Sequence, residues 1–305
     1  MIRRFAFFIS NRYDGAPVSR NWTKNADRYD QDTAVKLGIS SYAYAWAIGV
    51  PGYRGGGAEG GLTARGLLRK ASDLGVRVIQ IADNLPLHTL SDQQLGDLER
   101  LAAELRVGIE VGARGLQDLS AYLELAVRFS SPILRVVVDS AEHQPDIEEV
   151  IQTLRFVVPA FERQKVVLAL ENHDRFTARQ FRSMVEAVGS PNLGICLDTV
   201  NSFGALEGPE IVLEVLAPFV VNLHIKDFTI YRPEHNMGFT LEGRPAGKGK
   251  LNVPWLLDRL GSAGRDPNAI LELWVPPEST VDQTIAKEQQ WVEISVQYLR
   301  TLIPG

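Results

Sequence analysis

Apolar residues along this chain recur in two alternating rhythms. Short runs of strand formers trade places with longer stretches whose apolar positions fall three and four apart. The first run is Val35–Tyr42. Thr63 then caps a helix in which Leu67, Leu68, Ala71 and Leu74 share a face and Gly75 ends it. Val76–Ala82 follows as strand, and Ser91 opens a helix with Leu95, Leu98, Leu101, Ala102 and Leu105 on one side. The alternation continues through strand 107–111, helix 116–129, strand 133–138 and helix 147–163. Strand 166–171 comes next, then a helix from its Thr177 cap to Val188, strand 193–197, helix 209–216 and strand 220–225. A long loop from Phe228 to Lys250 precedes a helix over 253–263. Strand 269–273 and a helix over 283–302 complete the series.

Strands alternating with helices predict a parallel sheet. Eight such units in about 270 residues predict an α/β fold, a (β/α)8 TIM barrel, whose usual size is about 250 residues. A doubly wound open sheet is the rival, but fewer strands suit it better. The glycines after the first strand, Gly55-Gly56-Gly57 and Gly60-Gly61, also lack the GxGxxG spacing. Without a following Lys-Ser/Thr they read as a mobile lid rather than a phosphate cradle. Residues 1–34 show no sustained period and read as an N-terminal arm, docked or without role. Residues 35–305 read as a single barrel domain.

Four of the apolar runs end in a side chain that can hold a metal. They are Leu168-Ala169-Leu170-Glu171, Gly194-Ile195-Cys196-Leu197-Asp198, Val220-Val221-Asn222-Leu223-His224 and Ala269-Ile270-Leu271-Glu272. In a barrel these strands bring Glu171, Asp198, His224 and Glu272 to one point at the C-terminal mouth, where barrel enzymes place their chemistry. Period-two alternation sets His173 above Glu171, Lys226 above His224 and Trp274 above Glu272. Glu110 and Arg135 lie deep in neighbouring strands and are expected to pair with each other, because an unpaired buried charge is costly.

Composition narrows the partners. A net charge of −5 argues against a nucleic-acid surface, which leaves a basic footprint. The single cysteine, Cys196, excludes an intrachain disulfide and fits a reducing compartment. The apolar stretch Phe5–Ile9 is too short for a secretory core or a membrane span, so a cytoplasmic protein with no membrane partner is expected.

Three carboxylates and one imidazole suit Mn²⁺, Mg²⁺ or Co²⁺ better than a structural Zn²⁺. Four protein ligands leave room for two substrate oxygens, an arrangement suited to stabilising an enediolate. Two of the carboxylates on opposite sides of the metal could each add or remove a proton on one face of a bound sugar, and His173 and Lys226 are further catalytic candidates. His88, Asn201, Trp46 and Trp274 are candidates for substrate contact. Arg244 and Lys248 read as solvated loop cations and Cys196 as inert.

The order of these motifs resembles the xylose isomerase-like TIM-barrel superfamily of sugar isomerases and epimerases. The resemblance rests on Leu170-Glu171-Asn172-His173, Cys196-Leu197-Asp198-Thr199, His224-Ile225-Lys226-Asp227, Gly247-Lys248-Gly249 before Val253-Pro254, and Leu271-Glu272. It covers residues 35 to 302. It implies a divalent metal on Glu171, Asp198, His224 and Glu272, proton transfer by Glu171 and Glu272, Asp227 placed to orient His224, a small keto-sugar or sugar-acid substrate, and a homo-oligomer (dimer or tetramer). One departure stands out: Asn201 occupies the place of a histidine found in ketose 3-epimerases and in the nuclease branch. The segments Gln80–His88, Glu171–Arg175 and Asp198–Ala205 resemble the branch similar to 3-oxo-isoapionate decarboxylases. An isomerase or epimerase is therefore expected, with a decarboxylase of a branched 3-oxo sugar acid as the alternative. A non-catalytic sensor of sugar acid or metal is the third reading.

Overall fold

The computed structural model describes residues 36–53 and 61–303. The expected arm, and the glycine lid as far as Gly60, lie outside the described residues. In chain order the elements are β1 (Leu37–Ser40), α1 (Ala45–Ile48), α2 (Ala64–Asp73), β2 (Val78–Ile81), α3 (Asp92–Leu105), β3 (Gly108–Arg114), α4 (Leu119–Arg128), β4 (Ile133–Val137) and α5 (Ile147–Gln164). They continue with β5 (Val167–Glu171), α6 (Ala178–Val188), β6 (Leu193–Asp198), α7 (Pro209–Leu216), β7 (Val220–Ile225), β8 (Asp227–Tyr231), β9 (Thr240–Arg244), α8 (Val253–Ser262), β10 (Asn268–Leu271) and α9 (Val281–Leu299).

Eight parallel strands close into a barrel in the order β1-β10-β7-β6-β5-β4-β3-β2. Helices pack outside, so both faces of the sheet are covered, and β1, β2 and β4 are buried along their whole length. The helices start where side chains satisfy the first free amides. Ser91 with Gln94, Thr177 with Gln180 and Thr280 with Gln283 each form a reciprocal capping box. Losing such a cap costs about 1 kcal/mol. Among the described residues no helix is long and apolar enough to cross a membrane.

Two differences from the sequence reading shape the site. The third strand extends to Arg114, because pairing with β4 from Val111↔Leu134 to Arg114↔Val137 overrides the weak strand preference of Gly112 and Ala113. The loop after β7 holds an antiparallel hairpin, β8 with β9, in register from Asp227↔Arg244 to Tyr231↔Thr240.

The β6–β7 register slips between Ile195 and Cys196, which sets Cys196 opposite Asn222 and Asp198 opposite His224. Gly194 permits the slip, since a Cβ there would come within 2.6 Å of Val221 Cγ1 and 2.9 Å of Phe219 O. Inside the barrel, Ile133, Ala169 and Cys196 form a small apolar cluster. Polar side chains occupy the layers toward the C-terminal mouth.

Candidate active site

Glu171, Asp198, His224 and Glu272 converge at the barrel mouth, each fully buried. His224 Nδ1 lies 3.4 Å from Glu171 Oε2, 3.7 Å from Asp198 Oδ2 and 3.4 Å from Glu272 Oε1. Its other nitrogen, Nε2, lies 2.7 Å from Gln80 Oε1. The Gln80 amide cannot turn round, because its Nε2 donates to Glu110 Oε2 and Asn222 Oδ1, both at 3.1 Å. The network thereby requires a proton on His224 Nε2 and turns Nδ1 toward the acids.

Asp198 is divided in the same way. Its Oδ1 accepts the backbone N–H of Val200 at 2.8 Å and of Asn201 at 2.9 Å, while Oδ2 turns to the cluster. Asn172 ties the two strand ends together, accepting from Asp198 N at 2.7 Å and donating to Asp198 O at 2.9 Å. Lys226 Nζ stands 2.9 Å from Asp198 Oδ2 and 2.7 Å from Glu272 Oε2. These are ion-pair distances without hydrogen-bond alignment.

Charge within the cluster sets its protonation. Burial would raise the pKa values of Asp198 and Glu272, yet both fall below the usual carboxylate range. Lys226 and His224 lower Asp198, and His224, Lys226 and Arg135 lower Glu272. Burial alone would lower the His224 pKa, but Cys196, Glu272 and Glu171 outweigh burial and hold it well above the imidazole value. The Cys196 thiol is itself pushed up to about 11 by burial, so it is neutral near pH 7 and the glutamates carry the effect.

The donor set fits a divalent ion. Ligand atoms of Asp198, His224 and Glu272 lie within 4.8 Å of one another, as do those of Glu171, Cys196 and His224. Asp198 Oδ2, His224 Nδ1 and both Glu272 oxygens are buried without an aligned hydrogen bond; the Lys226 ammonium offsets part of the charge on Asp198 and Glu272, and a divalent ion would satisfy the rest. Oxygen-rich donors with one imidazole suit Mn²⁺, Mg²⁺ or Co²⁺.

Above the cluster opens a cavity of about 140 Å³, whose lining includes His173, Asn201, Lys226, Trp274, Arg114, Arg135 and Tyr42. His173 Nδ1 lies 2.8 Å from Asp174 Oδ2. Asn201 Nδ2 donates to Glu171 Oε1 at 2.7 Å, and its Oδ1 accepts from Lys226 Nζ at 3.4 Å. Trp274 is 36% exposed, with Lys226 Nζ 6.0 Å from its ring centre.

Other expected positions fall elsewhere. His88 is exposed on a turn after β2, with Nδ1 2.7 Å from Tyr122 OH, and is not part of the cavity lining. Trp46 is buried in α1, where its indole N–H donates to Val275 O at 2.9 Å, and it too is not part of the cavity lining. Asp227 does not reach His224. Its Oδ1 accepts from Phe228 N and Leu251 N and its Oδ2 from Gly247 N and Gly249 N, at 2.7 to 3.0 Å. Any Cβ on Gly249 would meet Asp227 Oδ1 at 2.2 Å, which explains the Gly247-Lys248-Gly249 turn. Arg244 is half-buried and paired with Glu242 at 3.1 Å.

The expected Glu110–Arg135 pair is overturned by register. Arg135 stands opposite Gly112, one layer above Glu110. Its Nε bonds Glu171 Oε2, and Nη1 lies 3.5 Å from Asp83 Oδ1. Glu110 is satisfied by the amides of Gln80, Asn222 and Asn268. Tyr42, Asp83, Arg114 and Gln80 were not singled out in the sequence as site residues. The available signal was position: each stands at or near the C-terminal end of its strand.

The profile of the xylose isomerase-like TIM barrel family matches residues 68–302. A 3-oxo-isoapionate decarboxylase from Pectobacterium atrosepticum is 36% identical over 272 residues, which span 88% of this chain and 96% of that protein. D-psicose 3-epimerase from Clostridium cellulolyticum H10 shares the fold with a TM-score of 0.66 at 16% identity, over 87% of this chain and 98% of its own. A xylose isomerase-like TIM barrel protein from Mycobacterium smegmatis, solved in complex with magnesium, superposes with a TM-score of 0.62 at 14% identity, over 87% and 98%. The chain belongs to the xylose isomerase-like TIM barrel family.

Proposed function

We propose that the protein is a divalent-metal-dependent decarboxylase of a small 3-oxo sugar acid. The observation that carries this reading is the unequal state of the two glutamates. Glu171 has both oxygens engaged, Oε2 by Arg135 Nε and Oε1 by Asn201 Nδ2. Glu272 has neither oxygen in an aligned hydrogen bond. Epimerisation removes a proton from one face of a carbon and returns one to the other, which asks for two exchangeable groups on opposite sides. Loss of CO₂ needs a single proton donor. One glutamate fixed as an anchor suits the second demand.

A divalent ion on Glu171, Asp198, His224 and Glu272 would supply electron withdrawal from the ketone oxygen. The residues around it divide the remaining work. As the bond between the carboxyl carbon and its neighbour breaks, its electron pair passes toward the ketone and CO₂ leaves. His173, oriented through Nδ1 by Asp174, is placed to deliver the proton that this carbon then takes up. Lys226 remains charged between Asp198 and Glu272 and offers its positive charge to the developing enolate oxygen. Leu273 and Trp274 wall the cavity and limit water.

The relative from Pectobacterium atrosepticum supports the same choice. The second reading, an isomerase or epimerase, is favoured by the presence of Glu171 and Glu272 on one cluster. A homo-oligomer, dimer or tetramer, is also proposed from the family resemblance and is read by sedimentation of the purified protein.

The test uses Mn²⁺-loaded protein in D₂O with 3-oxo sugar acids labelled with ¹³C at the carboxyl carbon. Labelled bicarbonate is expected, with one deuterium at the neighbouring carbon and none of either after chelation. His173→Gln is expected to lower the rate by about 100-fold or more, and Glu272→Gln to weaken Mn²⁺ binding. Deuterium entry into keto-sugars without bicarbonate would replace this reading with the epimerase. Metal binding with neither outcome across a broad panel would leave the sensor.

A further inference from the structure

The half of the barrel mouth facing the proposed metal ligands has its own organisation. Asp83 lies just past β2 and gathers three side chains from neighbouring elements. Its Oδ2 accepts from Tyr42 OH at 3.0 Å and from Arg114 Nε at 2.9 Å, and its Oδ1 lies 3.5 Å from Arg135 Nη1. Burial would raise the Asp83 pKa, but Arg135 and Arg114 together outweigh burial and lower it. One carboxylate therefore holds two guanidinium groups and a phenol at the cavity wall.

Arg114 is not consumed by this arrangement. A structural arginine–carboxylate pair usually closes as a two-pronged fork. Here Asp83 is shared three ways and takes only Nε of Arg114. Among the described residues, neither terminal nitrogen of Arg114 has a hydrogen-bond partner. The side chain is 32% exposed and lines the cavity. It is a planar fork whose outer prongs are available.

The charge balance points to the complement. Asp83, Glu171, Asp198 and Glu272 face Arg114, Arg135 and Lys226. With a divalent ion bound and His224 neutral as its ligand, these groups carry one net positive charge. A monoanionic substrate would neutralise that excess, whereas a neutral sugar would leave it.

We infer that Arg114, held by Asp83 beside Tyr42 and Arg135, is the binding subsite for a substrate carboxylate, so that the cavity selects monoanionic sugar acids over neutral sugars. This rests on the proposed function for what happens to the bound acid, but the subsite itself is a statement about binding. Arg114 acts as a specificity-determining residue: its removal raises KM for an acid far more than it lowers kcat.

The test compares a matched pair of probes, erythronate and erythritol, which differ in a terminal carboxylate against a terminal alcohol. Calorimetric titration of the Mn²⁺-loaded wild type is expected to show the acid bound about tenfold or more tightly than the polyol. Arg114→Gln is expected to collapse that preference to within about threefold, with erythritol binding and Mn²⁺ affinity unchanged. The loss should persist in chelator-treated protein, which separates Arg114 from metal chelation. Should Arg114→Gln fail to hold Mn²⁺, Arg114→Lys decides, because it keeps the charge but loses the fork. A loss of about fivefold or more in preference is expected for it.

Erythronate bound equally by wild type and variant, or no preference in the wild type, would overturn the inference. Bicarbonate release with an Arg114-independent acid preference would sink the subsite and leave the decarboxylase standing. An Arg114-dependent preference without bicarbonate release would do the reverse.

Discussion

Gln80 is the residue through which the barrel floor governs the site. Its carbonyl oxygen faces His224 Nε2 while its amide nitrogen serves Glu110 and Asn222. A side chain in this position fixes ring orientation and tautomer, and such partners are worth about 10- to 100-fold in metal affinity. Gln80→Leu is accordingly expected to weaken Mn²⁺ binding by about that factor, read by electron paramagnetic resonance titration. Unchanged affinity in a folded variant would remove Gln80 from this role. The four candidate ligands were legible in the sequence because each closes an apolar run. Gln80 was not, because an amide inside a strand carries no chemical signature until its neighbours are known. The Glu110–Arg135 expectation failed for a related reason. Depth in two adjacent strands indicates burial, but only the register shows that Gly112, not Glu110, stands opposite Arg135.

At the level of elements, the βα alternation, the caps at Ser91 and Thr177, and the Gly75 stop could all be read from local pattern. The end of β3 and the β8–β9 hairpin could not, since both depend on pairing with distant or exposed chain. Tertiary context also explains the short helix α1. Its first amides, Trp46 N and Ala47 N, donate to Glu288 Oε1 and Oε2 on α9 at 2.8 and 3.0 Å. Glu288 is only 1% exposed, and burial raises its pKa from 4.5 to about 7 despite these bonds and Lys70. The folded state thus holds the proton more tightly than the unfolded chain. The resulting stability is present in full below about pH 4.5 and is lost as pH rises through about 7, an effect of at most about 3 kcal/mol. Glu288→Gln is expected to remove this contribution, so its stability relative to wild type should rise between about pH 4.5 and 7. Urea denaturation at a series of pH values reads the difference, and parallel curves for the two proteins would refute the assignment.

For the whole molecule, the barrel couples the site to global stability. The candidate ligands come from four strands, β5, β6, β7 and the end of β10, which are consecutive in the closed sheet. Unfolding separates them, so an ion that binds only the folded arrangement stabilises the entire barrel. Free Mn²⁺ at 100 times its dissociation constant contributes about 2.7 kcal/mol. For a domain of this size that raises Tm by roughly 5–10 °C. His224→Ala removes the one nitrogen donor and the group facing all three acids, and so should abolish most of this shift while a single cooperative transition remains. Thermal scans of both proteins with Mn²⁺ and with chelator provide the measurement. Equal Mn²⁺-induced shifts would place the stabilising ion somewhere other than this cluster. A shift confined to the wild type would tie metal, strand order and fold stability to the same four side chains.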